Sequence, residues 1–304
     1  MDDARALADL LHRIEKWDGL PYRTSIEEVV ELFDSSDRFA SVGGFIDGRL
    51  RAYGYIRVFD EEPVVASCQG GVDPEYRSLG LGGALVAWHT QNASAALEQC
   101  PHESKQIAFN VEEGHRDLEQ HLLRYGYEWR RSYYDLRASL EVEPKEVALD
   151  SFTTIVEWDS IDDADVTRAI NRITLDQEGR AGTTRWISED RAGFTPEWSF
   201  IALDHHADRP EIAGLIMASK YSQDWSVLGW REGSIDMLAV LPGYHDTNIA
   251  SALVTASMKA QRDAGMEAVV AGMSSAASSS VMSVYDELGF STVATSRMYT
   301  LQLN

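Results

Sequence analysis

Twice in this chain a run of apolar and β-branched residues ends in Val-x-Pro, turns sharply and continues as an apolar helix. The first copy reads Val72-Asp73-Pro74-Glu75-Tyr76-Arg77-Ser78-Leu79-Gly80-Leu81-Gly82-Gly83-Ala84-Leu85, and the second Val240-Leu241-Pro242-Gly243-Tyr244-His245-Asp246-Thr247-Asn248-Ile249-Ala250-Ser251-Ala252-Leu253. Their prolines stand 168 positions apart. Further on, Leu123-Arg124-Tyr125-Gly126-Tyr127 is answered by Glu287-Leu288-Gly289-Phe290, 52 and 47 positions past the respective prolines. Each copy then runs into a closing strand, Ser132 to Leu136 and Ser296 to Leu301. A repeat on this scale implies two homologous domains, because solenoid repeats have periods of only ~20–50 residues. The length of 304 residues agrees, at ~150 residues per domain.

The first loop has the chemistry of an anion cradle. Glycines at 80 and 82 let successive N–H groups face one concavity without Cβ obstruction, and the helix behind them adds free amides and the positive end of its dipole. Two other glycine loops are excluded. A dinucleotide fingerprint needs a third glycine where Leu85 stands, and a nucleoside-triphosphate loop needs Gly-Lys-Ser/Thr, which this chain lacks.

Periodicity places these loops within a regular order of elements. Leu7, Leu10, Leu11 and Ile14 mark a helix over 4–17, and Ser25-Ile26-Glu27-Glu28 opens a second with a capping-box pattern. A hairpin turns at Asp47-Gly48, and a strand over 64–72 leads into the loop. A helix over 81–97, a strand over 106–111, a helix over 116–124 and the closing strand complete the first half. The second half repeats the order but opens with a strand, 152–158, whereas the first starts in a helix, so either its sheet lacks that edge strand or the true start lies upstream. The boundaries are 1–140, a charged linker at 141–150, and 151–304.

Composition bounds the function. The content of 44% hydrophobic and 25% charged residues is ordinary for globular domains, and no apolar stretch approaches the ~20 residues of a membrane helix. An acidic start, Met1-Asp2-Asp3, does not read as a signal peptide, so a cytoplasmic location is expected. A net charge of −22, shared almost evenly by the halves, argues against nucleic acid and favours a cationic substrate or plain solubility. Cys68 and Cys100 have no metal spacing and read as free thiols, and His205-His206 has no partner at metal spacing, so no metal is expected.

The first loop resembles the pyrophosphate loop of the GNAT acyltransferases, and the whole chain is similar to the mycothiol synthase-like group of actinobacterial two-domain acetyltransferases, with which it shares the flavour of Asp18-Gly19-Leu20-Pro21-Tyr22 and Ile249-Ala250-Ser251-Ala252-Leu253-Val254. The resemblance implies an α+β fold of two tandem GNAT domains, each a mixed central sheet flanked by helices. It implies acetyl-CoA as cosubstrate, held by Gly71, Val72, Arg77, Ser78, Leu79, Gly80, Leu81, Gly82 and Gly83. It also implies transfer of the acetyl group to a primary amine of a small molecule by direct attack in a ternary complex, with a carboxylate as base and a tyrosine in the last helix as acid.

The two copies depart from that pattern in opposite ways. The first keeps the loop but has Leu122 at the tyrosine's place and Ala66 at the carboxylate's, with Asp60, Glu61 and Glu62 the nearest acids. The second keeps Tyr285, with Asp236 and Glu232 as candidate bases and Ser234 at the matching position. Its loop is eroded: His245 replaces the arginine and Asn248 the first glycine, although Asn tolerates the left-handed backbone that turn needs. Asp246 adds a charge that at ~4 Å would repel a diphosphate by about 4 kcal/mol, so the coenzyme is expected in the first half. Deprotonating an alkyl ammonium at pH 7 costs roughly 4.6 kcal/mol, whereas the coenzyme thiol is a tolerable leaving group, so a base matters more than the tyrosine. Trp186, Phe194, Trp198, Trp225 and Trp230 cluster before the second loop as an acceptor lining or as core, and the Ser274 to Ser280 tract reads as a loop and cap. The competing class is a catalytically reduced module that binds or senses acetyl-CoA.

Overall fold

The computed structural model describes residues 2–33, 38–59, 63–178, 193–245, 247–275 and 279–303. The chain forms two compact units, Met1–Tyr133 with Thr295–Asn304, and Tyr134–Ala294. Asp60, Glu61, Glu62, Trp186, Asp246 and the middle of the Ser274 to Ser280 tract lie outside the described residues.

The first unit begins with α1 (Asp2–Asp18) and α2 (Ile26–Phe33), followed by β1 (Arg38–Ile46), β2 (Arg49–Phe59), β3 (Val64–Val72), α3 (Leu81–Glu98), β4 (Lys105–Glu112) and α4 (Arg116–Arg124). The capping box forms as expected. Ser25 N–H donates to Glu28 Oε2 at 2.6 Å and Glu28 N–H to Ser25 Oγ at 3.1 Å, satisfying amides that a helix start leaves bare. Asp47 and Gly48, at φ 50° and 72°, make the hairpin turn whose left-handed residues match strand twist. Successive strand residues face opposite sides, so Gly70 meets His89 of α3 while Gly71 meets Ile14 of α1. The core between α3 and the sheet holds Ile56, Val64, Val86, Leu97, Ile107 and Phe109. Leu7, Leu10, Val29 and Leu50 form a second core on the α1 side.

One strand is not where the repeat pattern puts it. The last strand, 291–303, was expected to close the second half, yet residues Ser296–Leu303 pair antiparallel with β4, giving this unit the order β1-β2-β3-β4-final strand. The alternation in the strand explains why it fits there. Tyr299, Leu301 and Leu303 face the core of the first unit, with Tyr299 5% exposed.

The strand over Glu128–Ser139, β5, starts in the first unit and ends in the second. The second unit continues with β6 (Thr153–Glu157), α5 (Asp163–Glu178), β7 (Phe200–Asp204), β8 (Glu211–Ser219), α6 (Trp225–Leu228), β9 (Glu232–Val240), α7 (Ile249–Asp263), β10 (Ala268–Ser274) and α8 (Ser279–Glu287), and the final strand, β11, is Ser291–Leu303. Its sheet order is β6-β7-β8-β9-β10-β5. β6, paired with β7, has no counterpart among the described residues of the first unit, whose edge is β1. The boundary thus falls near Tyr133, inside a strand, and residues 140–150 are less free than a charged linker suggests: Leu140 is buried and Ala148 accepts a bond from Asn248.

Both units share one feature that positions a site. The parallel pair β3 and β4 is registered from Val64↔Lys105 to Cys68↔Phe109 and then ends, although both strands run on. The pair β9 and β10 likewise ends at Ile235↔Ala271. Past those points the strands part, and Gln69 to Val72 and Met237 to Val240 have no partner strand on that side.

Candidate functional site

At the end of β3 the loop is built around a buried carboxylate. Asp73, 1% exposed, receives Arg13 Nε and Arg51 Nη1 at 2.9 Å each and the N–H of Glu75 at 3.2 Å. Burial alone would raise its pKa, but the hydrogen bonds from Arg51 and Arg13 outweigh that and hold it below the usual carboxylate value. A folded value below the unfolded one means that this stabilisation is present above pH 4 and is lost as pH falls through the folded value. Asp73→Asn should destabilise the first unit by about 3 kcal/mol, as breaking a buried ion pair does, read as a fall in the denaturation midpoint at pH 7.

The turn that follows leaves its amides bare. Ser78 and Gly80 take left-handed backbone, φ 62° and 85°, and the first bond of α3 runs from Ala84 N–H to the carbonyl of Gly80. Among the described residues, the N–H groups of Ser78, Leu79, Gly80, Leu81, Gly82 and Gly83 have no backbone acceptor. Gly82 is exposed, a Cβ there would meet nothing within 4 Å, and its φ is not positive. No protein atom requires a glycine at this helix position, where glycine costs ~1 kcal/mol relative to alanine. Close approach of an external group does require one, so the residues present fit a diphosphate.

Arg77 has another use. Its Nε donates to the carbonyl of Val72 at 3.2 Å, while Nη1 and Nη2 bind both oxygens of Asp18 at 2.5 and 2.7 Å. The guanidinium expected to supply local positive charge is neutralised by α1, leaving the main-chain amides and helix end as the attractive groups. On the other face His89, 1% exposed, sets Nδ1 2.7 Å from the carbonyl of Leu85 and Nε2 2.8 Å from that of Gln69. Its ring is why residues 54 and 70 are glycines: a Cβ at either would lie 2.9 Å from the imidazole.

The second loop is closed by its own side chains. His245 Nε2 donates to the carbonyl of Val240 at 3.0 Å, taking over the bond that Arg77 makes to Val72. Asn248 has φ −79°, so the left-handed turn at Gly80 is not reproduced, contrary to the expectation that asparagine would keep it. Its Nδ2 bonds instead to the carbonyl of Ala148 at 3.0 Å. Thr247 Oγ1 lies 3.4 Å from the N–H of Ile249 and donates to the carbonyl of Tyr244 at 2.6 Å.

The three expected catalytic residues of the second unit occupy different settings. Tyr285, 3% exposed, packs edge-on against Phe290 at 5.0 Å, and burial pushes its hydroxyl well above the usual range. That hydroxyl has no hydrogen bond among the described residues. Asp236 sits on a bulge of β9, between the pairs Met237↔Met217 and Ile235↔Ala218, and accepts from Ser219 Oγ, from Ser234 Oγ at 2.7 Å and from Tyr221 at 3.5 Å. Glu232 is bound by Arg137 at 2.7 and 3.2 Å and by Trp230 Nε1 at 3.0 Å, a charge-assisted pair with both carboxylate oxygens occupied. Of the aromatic cluster, Trp198 is core and Trp225 ties its indole N–H to the carbonyl of Glu232. His205 and His206 are hairpin groups, bonded to Thr154 and Asp204, and no set of three metal-binding side chains occurs among the described residues.

Sequence reasoning missed the polar groups of the first unit on the α1 face. Glu15, Tyr22, Tyr53 and Glu112 gather beside the parted strands; Tyr22 donates to Glu112 Oε1 at 2.5 Å, and Tyr53 lies against Gly71. The segment from Asp18 to Tyr22 was legible as a motif, but not that its ends fasten to Arg77 on one side and Glu112 on the other.

Residues 167–290 match the family model described as "Acetyltransferase (GNAT) family". No curated protein matches the chain. Among solved structures, a GCN5-related N-acetyltransferase from Sphaerobacter thermophilus is similar over 99% of this chain and 93% of that one, with a TM-score of 0.75 and 20% identity. A tandem GNAT protein from the clavulanic acid biosynthesis pathway covers 98% and 94%, with a TM-score of 0.69 and 15% identity. A putative acetyltransferase from Pyrococcus horikoshii covers 100% and 87%, with a TM-score of 0.61 and 12% identity.

Proposed function

We propose that this acyltransferase of the GNAT fold moves an acetyl group from acetyl-CoA, held by its first unit, to a primary amine of a small molecule by direct attack in a ternary complex. Bound acetyl-CoA would supply an activated thioester. The observation that carries the reading is the row of bare amides from Ser78 to Gly83, with Gly82 a residue that nothing in the folded chain calls for. Those amides would hold the diphosphate by hydrogen bonds and the α3 dipole, while Arg77 and Asp18 keep the loop in shape. The end of β3 past Cys68, which has no partner strand on the β4 side, lies where a coenzyme arm could add to the strand. The mycothiol synthase-like grouping suggested by sequence agrees with a tandem fold and leaves the acceptor open.

Chemistry belongs where the thioester is bound, so the second unit's candidates become positioning groups on this reading. Asp236, held by hydroxyls, orders the β9 bulge; Glu232 anchors Arg137, and Tyr285 packs the core. Asp236→Asn and Tyr285→Phe should then each leave kcat/KM within about threefold of wild type, measured by thiol release with a panel of amines and amino sugars. A fall of 100-fold or more, the size of a lost acid or base, would move the chemistry to the second unit. A second reading, a module that senses acetyl-CoA, is favoured by β3 itself, which carries no carboxylate and buries Ala66 and Cys68. Tight acetyl-CoA binding without turnover on any amine of the panel would select it.

A further inference from the structure

Two carboxylates of the first unit lie beside the parted strands and form no ion pair among the described residues. Glu15 of α1 is 2% exposed, and among the described residues its carboxylate receives only the hydroxyl of Thr24 at 2.6 Å and the N–H of Thr24 at 3.1 and 3.3 Å. Glu112, half-buried at the end of β4, has Oε1 bound by Tyr22, while Oε2 has no donor among the described residues. The guanidinium of the intervening loop, Arg23, donates to the carbonyls of Leu20 and Tyr22. A buried carboxylate is ordinarily matched by a cation, and Asp73, 58 positions from Glu15, shows how this chain does so when structure is the purpose.

Two phenols complete the group. The Tyr53 hydroxyl has no hydrogen bond among the described residues, and its ring lies so close to Gly71 that a Cβ there would be 2.8 Å away. That places it beside the end of β3 past Cys68. The Tyr22 hydroxyl is pushed up by burial, by its bond to Glu112 and by the charges of Glu112 and Glu15, and Tyr53 by burial and by Tyr55 and Glu15. The four groups therefore share one electrostatic environment, and it is short of positive charge. Aromatic faces together with carboxylates make a seat for an ammonium group.

We propose that Glu15, Glu112, Tyr22 and Tyr53 seat the ammonium group of the acceptor in the first unit, Glu15 holding its charge and Glu112 taking its proton, so that the acceptor is a small alkyl ammonium compound. This rests on the reading that the first unit holds acetyl-CoA. One ammonium proton passes to Glu112 Oε2. The freed lone pair forms the C–N bond to the acetyl carbonyl carbon, the C–S bond breaks with its electron pair leaving on sulfur, and the second nitrogen proton goes to that sulfur. Amide and free thiol result, and Glu112 returns its proton to water. Tyr22 is a positioning residue that fixes the carboxylate through Oε1. The overall charge of −22 draws such a cation toward the protein.

The test titrates putrescine, spermidine and tyramine into the full chain by calorimetry, with and without coenzyme A, and measures thiol release with acetyl-CoA. At least one amine should bind. Glu15→Gln should weaken that amine at least tenfold, and Glu112→Gln should lower kcat by about 100-fold or more with KM changed only a few fold, the signature of a lost base. Acetyl-CoA affinity should stay as in wild type in both. Should Glu15→Gln fail to fold, Glu112→Gln, at a half-buried strand end, carries the test. The proposal is overturned if no amine of the panel binds, or if the folded variants bind and turn over like wild type. Loss of acetyl-CoA binding from the wild-type chain would sink the proposed function instead, and the titration without nucleotide would still report on Glu15 and Glu112.

Discussion

Gly82→Glu is expected to abolish acetyl-CoA binding while leaving the protein as stable as before or more so. The two halves of that expectation come from different physics. In the folded chain, a side chain at 82 enters open space, replaces a poor helix former, and places a negative charge in the first turn of α3, where the helix dipole favours it. Against a bound diphosphate the same carboxylate, ~4 Å away at an effective dielectric near 20, costs about 4 kcal/mol, or roughly a thousandfold in affinity. Calorimetric titration should therefore show at least a 100-fold loss with the thermal midpoint unchanged or raised. Unchanged affinity would place the coenzyme elsewhere.

Removal of residues 295–304 should unfold the first unit and spare the second. Residues Ser296–Leu303 make the outer ladder of β4 and bring Tyr299 into the first core, where Tyr299 also donates to Glu119 at 3.1 Å. Loss of a large buried aromatic alone costs ~3–5 kcal/mol, and an eight-residue ladder goes with it, against a typical domain stability of 5–15 kcal/mol. Hydrogen exchange of the chain ending at Ala294 should show β4 and α3 amides unprotected, with β8 and β9 protected as in the full chain. Retained protection in β4 would mean that the strand contributes little.

These two predictions also mark what was legible in the sequence. The loop could be read because its constraints are local: Gly80 is needed for a φ of 85°, and Gly82 for access, and both leave a signature in residue type. Capping, the hairpin turn and the helix over 116–124 were readable for the same reason. The destination of the last strand was not. Alternating apolar residues say that a strand has a buried face but not which neighbour covers it, so Tyr299 and Leu301 suit either sheet as a pattern. The use of Arg77 was hidden likewise, since its partner, Asp18, is 59 positions away. So were the carboxylates of Glu15 and Glu112, because forming no ion pair among the described residues is a property of three-dimensional surroundings. In the second unit, residue type allowed Asn248 a left-handed turn, and its φ of −79° and bond to Ala148 decided otherwise, while the bonds of Glu232 to Arg137 were not legible either.

A crystal of the full chain grown with acetyl-CoA tests the central claim most directly. The account predicts one coenzyme per chain, its diphosphate within hydrogen-bond distance of the N–H groups between Ser78 and Gly83. A diphosphate seated instead at the loop from Pro242 to Ile249, or a first loop left empty at saturating coenzyme, would contradict it.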